Sequence, residues 1–318
     1  MSDVILIIGP PGAGKGTAAK RFTDKGYMVL NRDAIGGATS GKLLEVLEDA
    51  YTDGQRTFVL DNTYGTVKSR APLLALCQRL RLPAHCLVMT TLIEEAQFNA
   101  ARRQIQRYGK LLTGPEAKAT KDPNMFPPVA QYKYFKTYEP PTLDEGFVQV
   151  TDELYIRSLG PEYVNEAVIF DYDGTLRECK SDRHSPNDPD DVILMPGRRE
   201  KVQELAQQGM LLLGASNQSG VAKPTDHKGY VSAEGAKACF ARTNELLGVD
   251  IDVAYSVERG GMAQSFWPKP MPGMGVLWVE KHKLDPAKVT FVGDMTKDKT
   301  FAARCGFKFE WAKDYFGA

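Results

Sequence analysis

Two doubly wound α/β domains, each on a parallel sheet, are the architecture this sequence predicts, with the first over residues 1–158 and the second over 159–318. Three observations carry that prediction. A chain of 318 residues is long enough for about two domains of ordinary size. Short apolar runs (VILII, YMVLN, TFVLD and HCLVMT, then AVIF, MLLLGAS, VDIDVAYS and KVTFVGD) alternate with helical patterns, as parallel sheets with crossover helices require. Between the two sets lies RSLGPEYVNE (Arg157 to Glu166), whose turn formers mark a linker.

The first apolar run, Val4 to Ile8, leads directly into GPPGAGKGT, Gly9 to Thr17. Gly9, Gly12 and Gly14 let the loop turn its N–H groups inward, which makes an anion nest. KGTAAKRFTDKG then reads as a helix opened by Lys15, with Ala18, Ala19 and Phe22 on one side and Gly26 ending it; its N-terminal dipole favours the same anion. Gly9, Gly14 and Lys15 satisfy the phosphate-loop pattern GxxxxGK, but Gly16 stands where a magnesium-coordinating Ser or Thr is usual, and Thr17 comes one place late.

The second and third strands end in LNRDAIG and VLDNTY. Both strand ends open towards the nest, so Asp33 is a candidate to take the proton from an attacking hydroxyl. Asp61 is a candidate to order metal-bound water or the loops, with Asn62 and Thr63 in support. Taken singly each is a helix cap or turn residue; their joint placement favours function. NAARRQIQRYGK then supplies Asn99, Arg102, Arg103, Arg107 and Lys110. A charge run is usually a solvated face, but a lid arginine can follow charge developing on a transferring phosphoryl group. Arg103 and Arg107 share a face at i, i+4, and Arg103 is the preferred candidate. In VAQYKYFKTYEPP the aromatics stack bases or pack the domain; packing is the preferred reading.

The second half opens with AVIF and DYDGT. Asp171 and Asp173, two positions apart where a parallel strand meets its crevice, can divide labour: one attacks phosphorus, the other protonates the leaving oxygen and then activates water. Asp294, in the later strand end FVGD, would complete a magnesium site. Ser216 in ASNQSG and Lys269 in WPKPMPGM are candidates to hold phosphoryl oxygens.

Composition limits the partners. Forty basic residues balance forty acidic ones, so no net charge draws the whole chain to nucleic acid or membrane. Cys77, Cys86, Cys179, Cys239 and Cys305 are scattered without metal spacing, which points to reduced thiols. No apolar run approaches ~18 residues and a strand begins almost at the N-terminus, so a cytoplasmic chain without signal peptide or membrane span is expected.

DYDGT, the strand ending in SN, KPMPGM and the late GDxxxD (Gly293, Asp294, Asp298) resemble, in that order, the haloacid-dehalogenase phosphatases over residues 167–318. The resemblance implies a Rossmannoid fold, an aspartyl-phosphate at Asp171, acid/base work by Asp173, phosphate contacts from Ser216 and Lys269, and Mg2+ held by Asp171, the Asp173 carbonyl and Asp294, with Asp298 in support. GPPGAGKGT, LNRDAIG, FVLDNTY, EEAQFNAARR and YKYFKTYEPPTLDEGF together resemble the kinase domain of the polynucleotide 5′-kinase/3′-phosphatase family over residues 4–150. That likeness implies a P-loop kinase fold, ATP on Lys15 and the loop amides of Gly9, Gly12, Ala13, Gly14, Gly16 and Thr17, with Asp61 and Arg107 beside the nucleotide. It implies Asp33 as base for a 5′-hydroxyl and a lid arginine such as Arg103. Ala34, Ile35 and Gly36 depart from it by lacking an arginine near the substrate phosphate.

Phosphorylating and dephosphorylating one position would only consume ATP, so the two halves suit different ends of one broken strand. Nucleic-acid ends, DNA or RNA, are thus the expected substrate, with oligomeric state open. A metabolic nucleoside or sugar kinase fused to a small-ester phosphatase is the alternative, and a nucleotide-regulated binding module a third reading.

Overall fold

The computed structural model describes residues 2–35, 40–259 and 264–317; Gly36, which closes LNRDAIG, lies outside them. The chain divides into two units: residues 1–100 with 121–157, and residues 101–120 with 158–318. The first half runs β1 (Asp3–Ile8), α1 (Lys15–Thr23), β2 (Met28–Asn31), α2 (Arg32–Ile35), α3 (Ser40–Thr52), β3 (Thr57–Asp61), α4 (Val67–Leu80), β4 (Ala84–Met89), α5 (Ile93–Tyr108), α6 (Gly114–Ala119), α7 (Val129–Thr137) and β5 (Gln149–Glu153).

The first unit's sheet has the order β2-β3-β1-β4-β5, with every pair parallel. β1 sits at its centre, and Val4, Leu6, Ile7 and Ile8 are fully buried. A strand covered on both faces needs a continuous apolar run, which is why VILII does not alternate. The register sets Asp61 opposite both Ile7 of β1 and Asn31 of β2, so three C-terminal strand ends meet at one crevice. α4 is capped by a reciprocal pair, Thr66 with Ser69. The aromatic segment is α7, and it mostly packs: Tyr134 is buried and stacks on Tyr138 at 5.4 Å. Phe135, Lys133 and Lys136 remain exposed.

One buried ion pair ties α4 to the loop before β5. Arg70, with no exposed surface, donates from Nε and Nη2 to the two oxygens of Glu145 at 2.7 and 2.8 Å, and from Nη1 to the Tyr64 and Glu139 carbonyls at 3.0 Å each. Arg70→Met strands the Glu145 carboxylate and should cost about 3–5 kcal/mol in denaturant unfolding, with most of that recovered by changing Glu145→Leu as well.

The second unit continues with β6 (Asn165–Phe170), β7 (Arg177–Cys179), β8 (Val192–Leu194), α8 (Arg198–Gln207), β9 (Leu211–Asn217), α9 (Ala233–Leu247), β10 (Asp252–Ser256), α10 (Gly273–His282), β11 (Leu284–Gly293), α11 (Thr296–Cys305), β12 (Lys308–Trp311) and α12 (Ala312–Phe316). Its sheet is again parallel, β10-β9-β6-β11-β12, with β6 central. β7 and β8 form a separate antiparallel hairpin just after DYDGT. DYDGT, ASNQSG and FVGD thus emerge from three neighbouring strands at the same edge. All five cysteines are free thiols, and Cys77, Cys86, Cys239 and Cys305 are buried. Among the described residues no helix is long and apolar enough to cross a membrane.

Candidate active sites

In the first unit the loop after β1 is shaped from behind. Gly12 and Gly14 have φ of 87° and 81°, a left-handed backbone that a side chain strains. A Cβ on Gly12 would lie 2.3 Å from the Ala96 carbonyl, and one on Gly14 would enter the Tyr155 ring. Three side chains hold the loop's carbonyls: Gln131 Nε2 donates to Pro11 at 2.9 Å, Asn99 Nδ2 to Gly12 at 3.0 Å, and Thr91 Oγ1 to Ala13 at 3.1 Å. Gly9 and Ala13 donate their N–H groups to the Thr63 and Pro10 carbonyls at 3.4 and 3.1 Å, so the N–H groups where the loop opens α1 are the polar edge turned to an anion. Lys15 Nζ donates to the Gly9 and Pro10 carbonyls at 2.9 and 2.8 Å, folded back over the loop.

Asp61 adjoins the start of α1. A Cβ on Gly16 would sit 3.6 Å from its Oδ2, the same oxygen that accepts from Asn31 Nδ2 at 3.0 Å. Asn31 Oδ1 in turn accepts the Asp33 N–H at 2.8 Å, so one chain of contacts runs from Gly16 through Asp61 and Asn31 to Asp33. The Asp33 carboxylate is exposed, with Arg32 Nε 3.8 Å away. Thr17 is exposed one residue beyond Gly16. Ala13 is buried beneath the loop. Arg103, half-buried, and Arg107, exposed, lie on the part of α5 that groups with the second unit. Arg102 of the same stretch is engaged, donating to Glu280 at 2.7 Å.

The second unit gathers its acidic residues tightly. Carboxylate oxygens of Asp171, Asp294 and Asp298 lie within 4.8 Å of one another. Lys269 Nζ, buried, bridges two of them, 2.7 Å from Asp171 Oδ1 and 2.8 Å from Asp298 Oδ1. Burial pushes the Asp171 carboxyl up to about 7, although Lys269 opposes that rise. Burial alone would lower the Lys269 ammonium, but Asp171 and Asp298 hold it above its ordinary range. Asp294 is also raised, by burial and by Asp298. Three clustered hard oxygen donors, two of them resisting ionisation, are the surroundings a divalent cation relieves, so the residues fit Mg2+.

Asp173 stands in a different network. Its Oδ1 accepts from Arg177 Nε and its Oδ2 from Gln218 Nε2, both at 2.8 Å. Gln218 Nε2 also donates to Ser216 Oγ at 3.1 Å, and Arg177 Nη1 reaches Thr243 Oγ1 at 3.0 Å. Asn217 clasps the Lys269 backbone in both directions, donating to its carbonyl at 2.9 Å and accepting its N–H at 2.8 Å. Asn217 and Lys269 line a cavity of about 770 Å3 together with Arg183, Lys223, Lys228 and Lys297.

A family model described as AAA domain matches residues 4–117, and one described as polynucleotide kinase 3 phosphatase matches residues 166–316. The chain thus carries a kinase-type AAA domain followed by a domain matching the polynucleotide kinase 3 phosphatase model, a P-loop half ahead of a haloacid-dehalogenase-type half. The bifunctional polynucleotide phosphatase/kinase of Schizosaccharomyces pombe is 25% identical over 151 residues, 47% of this chain and 33% of that protein. The chain therefore spans about a third of that relative. The D-glycero-D-manno-heptose-1,7-bisphosphate 7-phosphatase of Thermosynechococcus vestitus is 32% identical over 154 residues, 44% of this chain and 74% of that protein. Among solved structures, that of a Pnkp1/Rnl/Hen1 complex aligns with 98% of this chain and 96% of its own at 15% identity, with a TM-score of 0.34.

Several residues that shape these two sites are not announced by the sequence. Gln131 lies 120 positions from the loop carbonyl it holds, and no spacing announces such a contact. Gln218 stands inside ASNQSG, and Arg177 two residues after DYDGT, yet only the fold turns both onto Asp173.

Proposed function

We propose that the chain heals broken nucleic-acid ends, phosphorylating 5′-hydroxyls with ATP and removing 3′-phosphates. The observation that carries this reading is the pairing, in one polypeptide, of a phosphate-loop crevice with a separate acidic pocket walled by cations. A strand broken to leave a 5′-hydroxyl and a 3′-phosphate needs both operations before its ends can be joined.

In the kinase half, the loop amides and Lys15 would hold the ATP phosphates, and Asp61 would order the water bound to the Mg2+ that offsets their charge. Asp33 would accept the proton of the 5′-hydroxyl as its oxygen bonds to the γ-phosphorus and the bond to the β,γ-bridging oxygen breaks. Arg103, and Arg107 beside the nucleotide, would stabilise charge on the phosphoryl group.

In the phosphatase half, Asp171, the Asp173 carbonyl and Asp294 would hold Mg2+, supported by Asp298; when bound, the cation neutralises charge on the phosphate. Asp171 attacks phosphorus and the 3′ oxygen leaves, taking a proton from Asp173. Asp173 then removes a proton from water, which attacks the aspartyl-phosphate and returns Asp171. Ser216 and Lys269 bind the phosphoryl oxygens, and the basic walls suit a substrate with further phosphates along its backbone.

A second reading is favoured by the heptose-bisphosphate phosphatase relative: a small-molecule kinase joined to a sugar-phosphate phosphatase. Matched assays decide between them. Oligonucleotides with 5′-hydroxyl and 3′-phosphate ends should be processed at both ends with kcat/KM at least about 100-fold above free nucleosides and heptose bisphosphate. The opposite preference would overturn the end-healing reading.

A further inference from the structure

A second cavity, of about 440 Å3, lies in the phosphatase unit. Its walls include Gly174, Met195, Arg198, Asp294, Trp311 and Lys313, and it shares no lining residue with the larger basic cavity over Lys269. The volume is within the range of small-ligand pockets, ~300–1,000 Å3.

Arg198 makes this cavity unusual. The residue is 2% exposed, yet among the described residues it has no carboxylate within ion-pair distance. Its Nε donates to the Thr175 carbonyl at 3.0 Å and its Nη1 to the Pro196 carbonyl at 2.7 Å, while its Nη2 has no hydrogen-bond partner among the described residues. The Phe316 ring lies 4.5 Å from the guanidinium carbon. Two peptide dipoles and an aromatic face offset only part of the cost of taking a full positive charge out of water. An anion in the cavity would supply the missing counter-charge, and Lys313, exposed on the same wall, adds a second cation. Opposite chemistry is present too: Trp311 and Met195 give the cavity an aromatic and a polarisable thioether surface, suited to a flat ring.

We infer that this cavity is a second ligand site, bordering the acidic cluster at Asp294 but distinct from the larger basic cavity, that takes a phosphate joined to a flat ring, a mononucleotide by size. Arg198 Nη2 and Lys313 hold the phosphate, and Trp311 and Met195 flank the ring. Asp294, which also lines the cavity, repels the phosphate and so orients it towards Arg198 and Lys313.

The test is calorimetric titration of the full chain with AMP, with the P-loop saturated by a non-hydrolysable ATP analogue and Mg2+, and Asp171 capped with beryllium trifluoride. AMP is expected to bind one site, and to bind at least tenfold more weakly to both Arg198→Met and Lys313→Glu. Adenosine and inorganic phosphate should each bind more weakly than AMP. Absence of AMP binding, or equal affinity in both variants, overturns the site. Adenosine binding as tightly as AMP overturns the anion assignment, and phosphate binding as tightly overturns the ring assignment. Should Arg198→Met fail to fold, Lys313→Glu, on an exposed side chain, decides alone.

Discussion

Asp171→Asn is expected to abolish phosphate release from a 3′-phosphorylated oligonucleotide, a loss of about 10⁴-fold or more, while 5′ transfer stays within about twofold of the parent. An amide of the same shape cannot attack phosphorus, so the loss falls on kcat. The same change should leave the fold intact and even firmer in metal-free buffer. Asp171 is buried beside Asp298 and Asp173, and its carboxyl is pushed up to about 7. With the folded value above the unfolded one, its contribution to stability is full below the ordinary carboxylate range and is lost as pH rises through about 7. The parent in chelator should therefore lose denaturant resistance between about pH 4 and pH 7 relative to Asp171→Asn, whose Lys269 still pairs with Asp298 at 2.8 Å. A variant that unfolds more readily than the parent at pH 8 would contradict this account of the pocket's charge. Loss of both activities in folded protein would contradict independent centres.

How legible was all this in the residues? Elements whose chemistry is local were plain. GPPGAGKGT needs its glycines where φ turns positive, and Gly12 and Gly14 do so. DYDGT and FVGD end strands, and the register of β6 against β11 then draws Asp171 and Asp294 into one cluster with Asp298. What stayed hidden depends on pairings between distant segments. Gln131 secures a carbonyl of the loop, Arg70 finds Glu145 across 75 positions, and Arg198 is buried with no carboxylate at ion-pair distance among the described residues, yet each reads in sequence as an ordinary polar or basic helix residue. Periodicity marks which face of a helix is apolar; it carries no signal for a polar side chain buried to satisfy a carbonyl from elsewhere in the chain. The aromatic segment divides on the same ground: Tyr134 packs within the fold, and Phe135, its neighbour, stays exposed.

Asp33→Asn should cut 5′ phosphoryl transfer by about 10²–10⁴-fold with 3′ dephosphorylation unchanged. The physical reason lies in where the carboxylate is held. Asn31 Oδ1 accepts the N–H groups of Asp33 and Ala34 at 2.8 and 3.3 Å, and the Asn31 amide is itself tied to Asp61 beside the loop. The backbone of residue 33 is thus anchored through Asn31, not through its own side chain, which is exposed. Changing the carboxylate to an amide removes a proton acceptor and leaves that anchor untouched, so stability should move by no more than about 0.5 kcal/mol. On the proposal that the loop and Lys15 hold the nucleotide, the KM for ATP should stay within about threefold while kcat carries the loss. Lys15→Met should divide differently, weakening ATP binding together with turnover. An Asp33→Asn enzyme that keeps its kcat would move the base elsewhere in the crevice, with Asp61 the next carboxylate to test.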